Sequence, residues 1–202
     1  MNDTYPITEE PRRTLAAALS AEPATIRATD ITSRFPWACQ HRFVWGMDRK
    51  RNSAVVAMSA DGSIALLTGH DGLATLSRIL VLEQRTIPGD LDAEALAEAV
   101  RRLTIAPPGM VAAPGLPDRK SPPLKAWLPL GKPDAEALLR AQCVAPELHS
   151  DPASERWILQ FRYFNQSGGV EQWRVAGDRT AIRSALHQPA VADGTFNWPY
   201  EG

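Results

Sequence analysis

Cys39 and His41 lie two positions apart and Cys143 and His149 six apart, so the chain carries two thiol and imidazole pairs of the kind that can hold a soft metal or activate a nucleophile. Neither spacing matches a compact zinc module. With only four histidines in the chain, the pairs read as a buried Cys39, a core Cys143 and surface histidines, and no metal is expected. A sharper enzymatic set is Cys39 with His70 and Asp71, because a thiol needs a base to become a thiolate and a carboxylate to orient that base. Neighbouring His70 and Asp71 usually point apart, however, and they read equally as a turn residue and a helix cap. Carboxylates for acid and base work would come from Asp61, Asp71, Glu83 or Asp178, each of which has a local role in a turn or cap. Gly69 and Gly72 flank only His70 and Asp71, and Gly168 and Gly169 sit in a hairpin turn, so no phosphate-cradling loop is present. Gly-x-Ser-x-Gly and His-Glu-x-x-His are also absent. No catalytic residue is assigned beyond the fallback set Cys39, His70 and Asp71, and no cofactor is expected.

The aromatic and basic residues suggest binding instead. Trp127 lies in a proline-rich stretch and Trp198 and Tyr200 lie in the C-terminal tail, where no predicted element hides their rings, so they are candidate contacts for a protein partner. The compact basic turn Arg49, Lys50 and Arg51 can meet a phosphate or an acidic surface. If the protein instead takes a small molecule, Trp45, Trp157, Phe161 and Trp173 would line the pocket between sheet and helices, with His41, Arg162 or His70 pointing inward.

The elements that must position these groups follow from periodicity and turn chemistry. Thr8 and Pro11 start a helix over 11–22, and His41 to Met47 alternates as a half-buried strand. Ser53 to Met58 and Ser63 to Thr68 flank Asp61-Gly62, a hairpin turn pair, and their nearly continuous apolar runs predict strands covered on both faces. Asp71 can cap a helix from Leu73 onward, although Ile79 to Leu82 fits a strand about as well. Leu91 to Leu103 is a helix with Glu94, Glu98, Arg101 and Arg102 on its polar face. Eight prolines between Ile105 and Pro133 preclude a helix or central strand through that density. Ala135 to Cys143 is helical, Glu155 to Asn165 and Val170 to Ala176 form a second hairpin, and Arg179 to His187 has apolar residues at helical spacing. The expected fold is therefore α+β: an antiparallel sheet of two hairpins, in two ββα-like units, with helices packed on it. A single domain spans 1–202, with a flexible 1–10, a proline-rich connection over 104–133 and a loop tail over 189–202.

Composition bounds the rest. A hydrophobic fraction of 44% and a net charge of -1 suit a globular protein and remove the general electrostatic case for nucleic acid, so that partner is not expected. The N-terminal residues include Asp3, Glu9 and Glu10 and lack an apolar core, so a cytoplasmic location without membrane contact is the expectation. Two cysteines read as free thiols. Arginine and alanine dominate over lysine, a hint of a GC-rich bacterial source. The order of helix, three strands, helices, two strands and helix resembles, in topology and without a shared motif, that of type III secretion chaperones. The reading is a non-catalytic protein-binding domain of bacterial type, such as an immunity protein, an inhibitor or a secretion-chaperone-like protein. The alternative is a small-molecule enzyme or ligand-binding protein.

Overall fold

The computed structural model describes residues 7–87, 89–105, 109–114, 124–129, 134–151, 153–179 and 181–197. It has the expected α+β composition, but with two antiparallel sheets rather than one. Chain contacts define two compact units, Met1–Pro107 with Arg179–Ile182 and Pro108–Asp178 with Arg183–Gly202.

In the first unit helix α1 (Glu9–Leu19) starts ahead of Pro11, so the segment expected to be flexible is helical from Glu9. Ser20, in the left-handed region at φ 51°, ends it by donating its N–H to the carbonyls of Ala16 and Ala17. Strands β1 (Arg27–Asp30), β2 (His41–Met47), β3 (Ser53–Ser59) and β4 (Ile64–Leu66) form a sheet in that order. Val44 pairs with Val56 and Met47 with Ser53. Gly62 adopts φ 86° in the turn after β3, the conformation for which Asp61-Gly62 was read. Ser59, first, and then the Ser63 amide and hydroxyl donate to the Asp61 carboxylate and hold its pKa down to about 2.

β3 is buried at Ala54, Val55, Val56 and Ala57 in succession. Alternate residues of a strand point to opposite faces, so both faces of β3 must be covered. Leu15, Ala16 and Ile26 cover Val44, Ala54 and Val56 on the α1 side. The opposite side receives Phe43, whose ring meets Phe35 and Trp37 edge-on or tilted, with centroids 5.2 and 5.8 Å away. Each fully buried Val, Leu or Phe in such a core stabilises it by about 1.5–3 kcal/mol.

Helix α2 (Gly72–Leu82) settles the ambiguous stretch Ile79 to Leu82 as helix. The helix expected over Leu91 to Leu103 is shorter. α3 covers Ala93–Ala99, with the Asp92 carboxylate accepting from the Ala95 amide at 2.8 Å, and widens into a π turn over Val100–Ile105. The extra residue in that turn rotates Arg101, expected on the polar face, into the core, where Glu98 accepts from it at 3.0 Å.

The second unit holds β5 (Gly109–Val111), α4 (Leu124–Trp127), α5 (Ala135–Gln142), β6 (Glu147–Asp151), β7 (Arg156–Asn165), β8 (Val170–Asp178) and β9 (Ala181–Val191). Its sheet runs β5-β7-β8-β9, with β6 also paired to β7. The hairpin of β7 and β8 is as expected, with Phe161 opposite Trp173. The Asn165 side-chain oxygen closes its turn by accepting from the amides of Ser167 and Gly169, both at 3.0 Å.

Four expectations fail here. The helix read over Arg179 to His187 is strand β9, and the tail expected to be loop from Pro189 is strand to Val191. Its residues Ile182, Ala185 and Leu186 fit a helical spacing, but pairing with β8 overrides that local preference. The second ββα unit therefore does not exist: its third element is a strand, and the two halves are not repeats. The proline-rich connection also carries structure, because β5 uses the gap between Pro108 and Pro114 to pair with β7, and α4 lies between Pro123 and Pro129.

Gly72, the first residue of α2, has no room for a side chain, since a Cβ there would run into the Leu67 carbonyl oxygen. Gly72→Ala is expected to destabilise the protein by roughly 1–3 kcal/mol in urea unfolding, and an unchanged midpoint would contradict this packing.

Candidate functional site

Three of the groups singled out for chemistry, Cys39, His41 and Glu83, meet at one place in the first unit, at the C-terminal end of α2. There Gln84 takes φ 56°, an uncommon conformation for a residue with a side chain, and the Arg85 amide bonds back to the Leu80 carbonyl at 2.9 Å. This reversal sets Glu83 and Arg85 against the segment that enters β2. The Glu83 carboxylate, its side chain fully buried, accepts from three successive backbone amides: Cys39 at 2.7 Å, Gln40 at 2.8 Å and His41 at 2.9 Å. The His41 ring completes the set, with Nδ1 2.8 Å from the same carboxylate. Facing an ionised carboxylate, Nδ1 carries the proton and donates.

Burial alone would raise the Glu83 pKa, but the Cys39 amide, the His41 ring and the Gln40 amide outweigh it and hold the carboxyl below its ordinary value. A carboxylate at a helix C-terminus faces the negative end of the helix dipole, so these donors must offset that repulsion as well. Two further bonds fasten the same junction. Arg85 Nε donates to the Trp37 carbonyl at 2.9 Å, and Gln40 Nε2 donates to the Leu82 carbonyl at 3.0 Å.

A thiol, an imidazole and an acid thus come together, but in a different set and arrangement from the one expected. The exposures are reversed: Cys39 is exposed and His41 is buried. The Cys39 sulfur lies 3.5 Å from Arg85 Nη2 and 4.0 Å from the Trp37 carbonyl. Neither contact is with a base able to take its proton. His70 and Asp71 precede α2 whereas Cys39 is bonded at its far end, a helix length of about 16 Å away. The fallback set of Cys39, His70 and Asp71 is therefore not brought together, and the acid at the thiol's end of α2 is Glu83.

The remaining candidates are dispersed. Asp61 holds its turn, and Asp178 bonds Arg183 at 2.7 Å. Cys143 is buried in the second unit's core, while His149 is exposed on β6 beside Glu147. No group of three or more His, Cys, Asp or Glu able to hold a metal occurs among the described residues. Trp45 belongs to the first unit, and Trp157, Phe161 and Trp173 to the second. Within the second unit, Trp173 is stacked on both faces, with Phe161 at 6.1 Å and His187 at 4.5 Å, and Glu171 accepts from its Nε1 at 2.9 Å.

Among the proposed partner contacts, Trp127 is 1% exposed and meets Phe164 edge-on at 5.5 Å. It fastens α4 to the second unit's core rather than waiting for a partner, because a short helix has little else with which to bury itself. Trp198 and Tyr200 lie outside the described residues. Arg49, Lys50 and Arg51 are exposed in the turn between β2 and β3.

Sequence reasoning weighed Glu83 only as one of four acids and did not find its partners, which lie 42 to 44 residues away. Arg85 was missed altogether. Glu83→Ala removes the acceptor of one buried and two partly buried amides and is expected to cost roughly 2–4 kcal/mol at neutral pH. Because the carboxyl's pKa is lowered by folding, its contribution is present above the unfolded value of about 4.3 and fades as pH falls through the lower folded value. Urea unfolding of both proteins from neutral to acid pH should show the difference shrinking below that point, and a pH-independent difference would refute the ionised latch. Trp127→Ala is expected to lose about 3–5 kcal/mol of stability in the same assay, whereas a loss under 1 kcal/mol would return that ring to the surface. No protein-family model matches the chain, and no curated protein or solved structure shows significant similarity to it.

Proposed function

We propose that this chain is a non-catalytic protein-binding domain of bacterial type, in the manner of an immunity protein, inhibitor or secretion chaperone, and that it engages an acidic surface of its partner through the turn between β2 and β3. The observation that carries this reading is the state of that turn. Arg49, Lys50 and Arg51 are all exposed, and Lys50 is near enough to Asp48 for its charge to favour the ionised carboxylate. The one acid beside them, Asp48, is turned inward, accepting from the Asn52 amide at 2.8 Å and from its side chain at 2.9 Å. Arg27, exposed on β1, pairs with Met47 at the same end of the sheet and extends the positive surface.

Such a local surplus on a chain of net charge -1 favours a complementary acidic protein over the broad phosphate track of a nucleic acid. The bacterial cytoplasm is the proposed setting, on the strength of the arginine-rich and alanine-rich composition. Enzymatic chemistry gains no comparable support, since the His41 imidazole and the Glu83 carboxylate already serve each other and the backbone. Of the aromatic residues offered for a pocket, Phe161 and Trp173 are engaged in stacking within the second unit.

Reversing the turn (R49E, K50E and R51E together) is expected to change stability by under about 0.5 kcal/mol, as exposed substitutions do. It should reduce capture of the partner from bacterial extract about tenfold or more, with the captured material sensitive to protease and resistant to nuclease. Undiminished capture by the reversed protein, or a nuclease-sensitive captured species, would overturn the reading.

A further inference from the structure

Three turns among the described residues are closed by the same pair of backbone bonds. At 48–52 the Asp48 amide donates to the Asn52 carbonyl at 3.0 Å and the Arg51 amide to the Asp48 carbonyl at 3.2 Å. At 59–63 the Ser59 and Gly62 amides donate to the Ser63 and Ser59 carbonyls, both at 3.0 Å. At 165–169 the Asn165 and Gly168 amides donate to the Gly169 and Asn165 carbonyls, both at 3.1 Å. This is the three-residue hairpin loop, which ends in one left-handed residue, a slot that glycine fills without steric cost. Gly62 takes φ 86° there and Gly168 takes φ 74°. Nothing lies within 4 Å of where a Cβ on Gly62 would be, so its glycine answers to the backbone alone. In the loop at 48–52 the same slot holds Arg51, at φ 68°.

A Cβ in the left-handed region crowds the following carbonyl, so arginine is the poorer residue for this position. Packing does not select it either, because Arg51 is exposed. The conformation is held by Asp48, whose two carboxylate oxygens accept from the Asn52 amide at 2.8 Å and the Asn52 side chain at 2.9 Å. A residue kept where its backbone is strained, on a loop clamped to keep it there, is retained for its side chain. We propose that Arg51 is the specificity-determining contact of the cationic turn, offering its guanidinium as a two-pronged donor to a carboxylate of the partner. This inference rests on the reading that the turn engages an acidic protein surface. The planar guanidinium matches both oxygens of a carboxylate, which a lysine ammonium does not. The clamp lowers the freedom lost on engagement. Arg49 and Lys50, outside the left-handed slot, contribute charge.

The test uses the full chain, with poly-L-glutamate as the acidic probe and urea unfolding as the second readout. R51G should unfold at about 0.2–0.5 M higher urea than the wild type, yet bind poly-L-glutamate about tenfold more weakly. R51K keeps both the charge and the strained slot, so its unfolding midpoint should match the wild type while its binding falls about fivefold. R49K should bind within about twofold of the wild type. An R51G protein no more stable than the wild type, or an R51K protein that binds as well as R49K, would overturn the proposal and leave the role of the turn intact. Equal binding by the wild type and the R49E, K50E and R51E triple variant would remove that role, and the proposal with it.

Discussion

One buried carboxylate determines how the first unit closes. Glu83 sits where a helix ends and faces a run of three amides that no strand partner satisfies. Left alone, each side would be costly: the carboxylate by burial and by the helix dipole, the amides by the loss of water. Together they cancel, and the entry to β2 is thereby fixed to the exit of α2. The aromatic group of Phe35, Trp37 and Phe43 depends on this junction, because the Trp37 carbonyl is held by Arg85 in the same set of bonds. The arrangement also explains why a thiol, an imidazole and an acid can be neighbours without forming a nucleophilic site. The imidazole serves the acid, and the acid serves the backbone.

The second unit reaches rigidity by another route. Its sheet is held through rings, with Trp173 between Phe161 and His187 across three adjacent strands and Phe164 between Trp127 and Phe196 elsewhere. Polar side chains act there as local clamps, as Asn165 does in its turn and Glu171 does beside the Trp173 indole. Across both units the polar groups with the most directional chemistry are therefore structural. Among the described residues the exposed features include a cationic turn at one end of the first sheet and the edge strand β9 of the second.

Legibility in the sequence followed burial. β2, β3 and β4 could be read because β3 is covered on both faces and Asp61-Gly62 marks the turn between β3 and β4, and the β7 and β8 hairpin because its alternation matches its one-residue register. β1, β6 and β9 could not, since each is largely exposed and carries little hydrophobic alternation for a period to appear in. Only the ladder partner makes them strands. The π turn after α3 was hidden for a different reason, as one inserted residue leaves the helical spacing of Leu96, Val100 and Leu103 nearly intact. Of the candidate site, the residue types were visible and the grouping was not. Cys39 and His41 stood out by spacing, but nothing local to Glu83 points to amides more than forty positions earlier.

The junction made by Glu83 also spans the chain in a particular way. Everything from Trp37 to Arg85 lies inside the loop that it closes, including the tight turns at 48–52 and 60–63, both of which reach the surface. A protease nick in either turn would sever the backbone without releasing the pieces, since the strand ladder and the carboxylate would still bridge them. The first unit is thus built so that its covalent continuity and its mechanical continuity are separate properties.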